Sequence, residues 1–121
     1  SVPIRSEKLS DFYTLANYNS HSRTITVDLQ HLNVDSSYQA VESVLHELRH
    51  SWQHQVCESI DFSDEATKCS FFNLPREWEA EFLDYQPFGE EYYSQSCEVD
   101  AREYSSEQAA LYFLWLDLPT E

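Results

Sequence analysis

Apolar and polar positions change period several times along the chain, and the changes mark its elements. Residues Phe12 to Tyr18 and Arg23 to Leu29 are rich in β-branched and aromatic types, and Asn19-Ser20-His21-Ser22 between them has turn composition, which predicts a hairpin. In the second run Ile25 and Val27 alternate with Thr24, Thr26 and Asp28, the pattern of a strand with one face on the core and one in solvent. Its edge offers an extended peptide a place to add. After Asn33-Val34-Asp35 the period becomes helical: Ser36 and Gln39 have capping-box spacing, and Ala40, Val41, Val44, Leu45 and Leu48 form a stripe on a helix expected to reach about Val56. Glu58 to Ser70 holds no period and predicts a loop or short helical turn, the expected mobile cover. Pro75 starts a further helix, with Trp78, Phe82 and Tyr85 on one side, Glu77, Glu79 and Glu81 facing outward, and Pro87-Phe88-Gly89 ending it. A last helix, broken or bent, is expected from about Tyr92 to Leu116. Its final part, Ala109 to Leu118, is apolar nearly all round, which predicts deep burial or a surface for a protein partner or a dimer.

Length and composition narrow this picture to a single domain over residues 1–121, with 41% hydrophobic and 15% aromatic residues arguing for a folded core. A net charge of −15 repels phosphate backbones and anionic membranes, so neither nucleic acid nor a membrane is an expected partner, and a cleft in that field favours basic substrates. The chain has no apolar run of transmembrane length and no basic-then-apolar secretion signal. It also has no Met, even at position 1, which implies that residues were removed or that this is an excised segment. Cys57, Cys69 and Cys97 form no CxxC pair and are odd in number, which suits free thiols in a reducing, cytoplasmic compartment.

The stretch that carries chemistry is His46-Glu47-Leu48-Arg49-His50, a His-Glu-x-x-His pattern set in the helical run. Residues four apart on a helix are separated by about 6 Å of rise and about 40° of rotation, so His46 and His50 project from one face and can hold one zinc ion. Glu47, rotated by about 100°, stands beside the pair as a general base rather than a ligand. His54 lies about 12 Å along the axis from His46, too far to share a metal with both, and is expected at a polar rim. A catalytic zinc keeps three protein ligands. The best third candidate is Glu98, with small Ala101 one turn later to let its helix approach closely; Glu77 in Glu77-Trp78-Glu79-Ala80 has the same spacing and is the rival. Cys97, about 100° away from Glu98 on a helix, reads as a packing residue.

In these motifs the chain resembles the gluzincin branch of zincin metallopeptidases, in particular the ImmA/IrrE-like and minigluzincin families. The likeness extends over most of the chain, from a strand like Thr24 to Asp28 through Leu45-His46-Glu47-Leu48-Arg49-His50 to Glu98-Val99-Asp100-Ala101. Arg102 stands where such families carry an acidic or amide residue. The resemblance implies an α+β fold, a minimal zincin-like domain in which a small N-terminal β-hairpin or sheet packs on an active-site helix and a C-terminal helical part. It implies one Zn²⁺ per chain on His46, His50 and Glu98, and peptide-bond hydrolysis with Glu47 as the base. Asp100 is then a candidate to orient a ligating histidine, and Tyr93 and Tyr104, near Glu98 in sequence on either side, are candidates for the oxyanion. The alternatives are a catalytically silent metal-binding regulatory or interaction module, for a chain with little room for a cleft, and a purely acidic interaction protein in which the motif is accidental.

Overall fold

The computed structural model describes residues 2–9, 15–34 and 37–117. Phe12, Tyr13 and Thr14 of the expected first strand, the capping Ser36 and the terminal Leu118 lie outside them. The architecture is α+β, with a three-stranded sheet at the N-terminal end and helices making up the rest.

Strands β1 (Ile4–Glu7), β2 (Ala16–Asn19) and β3 (Thr24–Asp28) form a sheet in the order β1-β3-β2. The expected hairpin is β2 and β3, antiparallel with Tyr18 opposite Ile25. Its connection is fixed by Asn19, whose side-chain oxygen accepts from the backbone N–H groups of His21 and Ser22 at 2.9 and 3.1 Å. Arg23 closes the turn at φ 55°, a left-handed conformation, and its guanidinium pairs with Glu58 at 2.9 Å.

Strand β1 was not visible in the pattern: it pairs parallel to β3, Ile4 opposite Ile25. This makes β3 the central strand, with Thr26 buried along with Ile25 and Val27, where alternation predicted a solvent-facing threonine. Both edges of β3 are occupied, so among the described residues the edge strands are β1 and β2 instead.

A short helix, α1 (Leu29–Val34), occupies part of the expected polar break and leads to α2 (Ser37–Ser59), which runs past Val56. Two 3₁₀ turns, Glu65–Lys68 and Ser70–Phe72, connect it to α3 (Asn73–Leu83). The expected break in the last helix falls at Gln95, between α4 (Gly89–Ser94) and α5 (Ser96–Leu116). Among the described residues no helix is long and apolar enough to cross a membrane.

Helices α2 and α5 lie against each other along the principal interface, with Ala101 and Ala109 fully buried; small side chains there permit the close approach. Helix α3 packs on both, and Cys57, Trp78 and Cys97 form a core with Val56, Phe62 and Phe82 around it. Cys97 is a packing residue, as its helical angle predicted. Burial pushes the Cys57 thiol up to about 12 and raises the Cys97 thiol, aided by Glu79 near the first and Glu81 near the second.

Glu81 corrects one expectation. Its carboxylate turns inward and accepts from the backbone N–H groups of Ser96 and Cys97 at 2.6 and 2.8 Å, capping α5 immediately before Glu98. Of the two expectations for the end of α5, deep burial or a partner surface, burial within the chain is not met: Leu111, Tyr112, Leu114, Trp115 and Leu116 are exposed.

Candidate metal centre

Three side chains from two helices converge on one polar cluster. His46 and His50 project from α2, and Glu98 comes from the first turn of α5, which Glu81 and the Gln95 break set in place. Glu98 is 1% exposed, so its charge exists only because partners surround it.

His46 Nε2 lies 3.0 Å from Glu98 Oε1, His50 Nε2 lies 3.0 Å from Glu98 Oε2, and the two Nε2 atoms are 3.1 Å apart. Ligand atoms on a tetrahedral zinc with bonds of about 2.0–2.1 Å are separated by roughly 3.3 Å. The three side chains therefore converge at nearly the spacing one cation requires, and their donor atoms all fall within 4.8 Å of one another. Glu77, the rival ligand, is exposed on α3 and is not part of this group.

The orientation of His50 is fixed from behind. Its Nδ1–H donates to Gln53 Oε1 at 2.8 Å, which leaves Nε2 as the atom offered to a cation. Gln53 is fully buried, and its amide nitrogen donates to Asp100 Oδ2 at 2.7 Å and to the Cys97 carbonyl at 3.0 Å. Asp100 in turn accepts from Arg49 Nε and Nη2 at 2.8 and 3.2 Å, and Arg49 lies over the rings of Trp52 and Tyr104. Asp100 thus acts one residue removed from the histidine, through Gln53. Sequence reasoning missed Gln53, although its position three residues after His50, on the same helix face, was the available signal.

The charges follow from these contacts. Burial works against ionising Glu98, but the hydrogen bonds from His46, His50 and Tyr85 outweigh it and hold the carboxyl well below the usual range. Burial likewise disfavours the His50 imidazolium, yet Glu98 and Glu47 raise it to about 9. Glu47 is raised by burial and by Glu98 against the opposing pull of the two histidines.

A cleft of about 1060 Å³ opens over the cluster. One wall is β2 and its flanks, from Leu15 to Ser20, and the other holds Phe82, Tyr85, Pro87, Phe88 and Tyr92, with Glu47 and Arg102 also lining it. This space is larger than so short a chain was expected to provide. The expected cover, Glu58 to Ser70, contributes no lining residue; the segment around Pro87 and Phe88 takes that place. It is held by Gln95, whose side chain exchanges hydrogen bonds with the backbone N–H and carbonyl of Gln86 at 2.9 and 3.1 Å.

Tyr85 donates to Glu98 Oε2 at 2.8 Å, and the Tyr92 ring stands 6.1 Å from that of Tyr85. Burial and the Glu98 charge raise both phenols, so both are protonated donors at neutral pH. The structure puts these two in the cleft in place of Tyr93 and Tyr104, which contact Arg102 and Arg49. His54 lines the cleft outside the metal group, partly buried and stacked on Phe82 with ring centroids 3.8 Å apart rather than in a polar setting.

No protein-family model matches the chain, and neither a curated protein nor a solved structure does.

Proposed function

We propose that the chain is a zinc-dependent peptide hydrolase. The observation that carries this reading is the convergence of His46, His50 and Glu98 within 4.8 Å at the floor of a cleft that Glu47 also lines. A zinc ion held by these three residues supplies a Lewis acid that polarises a carbonyl and makes water more acidic. Glu47 adjoins His46 on the helix and lines the cleft, where it would take the proton from the attacking water. The single O–H of Tyr85 is engaged by Glu98, which leaves Tyr92 as the cleft phenol that would donate to the oxyanion. Strand β2, an edge strand among the described residues, lines the cleft, where an extended substrate backbone would pair with it. Three free cysteines, two of them buried, favour a reducing compartment such as the cytoplasm.

The exposed apolar end of α5 favours a second reading, a metal-holding interaction module without catalysis that binds a protein partner or a second copy. Glu47→Gln separates the two, because it keeps the shape of the residue and removes its basicity. On a mixed peptide library, the hydrolase reading expects a zinc-loaded wild type that cleaves and a variant with equal zinc that is roughly two to four orders of magnitude slower. Equal rates at equal zinc content would contradict it, and a fully loaded wild type that cleaves nothing would leave the silent module.

A further inference from the structure

Arg102 is the single lysine or arginine among the residues lining the cleft, in a chain with 22 acidic residues to 7 basic ones. Three other described arginines pair with carboxylates: Arg5 with Glu7, Arg23 with Glu58 and Arg49 with Asp100. Arg102 pairs with no carboxylate among the described residues. Its guanidinium lies 3.6 Å over the Tyr93 ring, Nη2 donates to the Tyr93 carbonyl at 2.6 Å, and Nη1, out of contact with water, has no hydrogen-bond partner. The guanidinium is thus anchored through Nη2, and no carboxylate among the described residues neutralises its charge. A carboxylate or phosphate is the group whose geometry matches a guanidinium fork.

Position defines what that group belongs to. Arg102 follows Glu98 by one helical turn, about 6 Å along the axis. Its contact with Tyr93, nine residues earlier, shows that the side chain reaches back toward the turn that carries Glu98. Its charge also acts on the Tyr92 hydroxyl within the cleft. An extended peptide advances about 3.3–3.6 Å per residue. A carboxylate on Arg102 would therefore lie one or two residues from a carbonyl placed at the metal ligands. The acidic exterior favours cationic chains in general, and Arg102 sets this one subsite against that trend.

We propose that Arg102 forms a carboxylate-binding subsite, so that the cleft selects peptides bearing a C-terminal carboxylate or an Asp or Glu side chain within two residues of the reacting bond. Only the reference to a reacting bond rests on the hydrolase reading, and binding tests the subsite without it.

The test uses the zinc-loaded full chain carrying Glu47→Gln, titrated with two matched pairs of probes. One pair is N-acetyl-dialanine and its C-terminal amide; the other is N-acetyl-aspartate methylamide and its asparagine counterpart. At least one acid is expected to bind roughly tenfold or more tightly than its neutral partner, and which pair shows the difference identifies the source of the carboxylate. Adding Arg102→Gln should abolish the difference at unchanged zinc content, and Arg102→Lys should retain part of it. Acids that bind no better than their neutral partners, or an advantage that survives Arg102→Gln undiminished because the metal itself holds the acid, would overturn the proposal. Should Arg102→Gln fail to fold, the arginine Nε–H signals in ¹⁵N spectra, with that of Arg102 assigned through Arg102→Lys, decide the question instead. The Arg102 signal should move with the acid and not with its neutral partner, and a stationary signal would overturn the proposal. Peptide cleavage without acid preference would remove the subsite and leave the hydrolase, whereas acid binding without cleavage would do the reverse.

Discussion

The first turns of α5 bury Cys97, Glu98, Ala101 and Ser105, whereas its last turns leave Leu111, Leu114, Trp115 and Leu116 in contact with solvent. A helix placed by hydrophobicity alone would be arranged the other way round. The difference lies in what each half faces. The first half meets α2 where His46, His50 and Gln53 supply hydrogen-bond partners, and Glu81 caps its start, so burial there is stabilised by a connected polar network. Toward the other end, Phe113 stacks on Tyr38 at 5.0 Å, but most of the apolar surface has no such contact. Burial in this chain follows the site more than the apolar pattern.

The comparison is sharpened most strongly by pH. Without metal, His50 holds its proton up to about 9, and a metal must displace that proton to bind. Affinity for zinc is expected to rise about tenfold per pH unit and to level off near pH 9, so that roughly a hundredfold separates pH 7 from pH 9. Isothermal titration in several buffers checks this through the proton released. The sign for stability is opposite: a raised folded-state pKa stabilises the metal-free chain fully below about 6.5, and that contribution is lost as pH climbs through about 9. The melting temperature of the metal-free chain should therefore decline over that interval.

Next in size is Gln53→Ala, which removes both the acceptor for His50 Nδ1–H and the amide that donates to Asp100 Oδ2. Zinc affinity is expected to fall about 10- to 100-fold, the usual cost of losing a ligand's hydrogen-bond partner. An unchanged dissociation constant in a folded Gln53→Ala protein would mean that the polar half is not organised as described. The smallest effect belongs to the other half. Trp115→Ser should change the unfolding free energy by no more than about 0.5 kcal/mol, as exposed positions do. A loss of several kcal/mol in urea titration would show that this end is buried in solution.

These two halves also differ in how legible they were. The motif helix, the hairpin and the fact that the last helix is interrupted followed from local spacing, because helical period and turn chemistry act within a few residues; spacing left Glu98 and Glu77 equivalent, and only the resemblance to the gluzincin pattern favoured Glu98. The pairing of β1 with β3 did not, since a parallel partner is chosen by tertiary packing rather than by anything in its own four residues. Distance in sequence from Glu98 gave no reason to pick Tyr85 and could not separate Tyr92 from Tyr104, which are equally far from it, while the Gln95 break and the Gln86–Gln95 pair decide which rings enter the cleft. Glu81 looked like one of three outward glutamates; its role as a cap depends on where α5 begins relative to α3. Apolar side chains near the end of α5 predicted burial or a partner, and sequence alone could not choose between them.

Metal content tests the central claim most directly. Protein exchanged into metal-free buffer after purification with zinc is expected to retain about one zinc per chain by elemental analysis, with Glu98→Ala losing it and Glu77→Ala keeping it. Wild type without metal above background, or loss on Glu77→Ala with retention in Glu98→Ala, would contradict the assignment of the site.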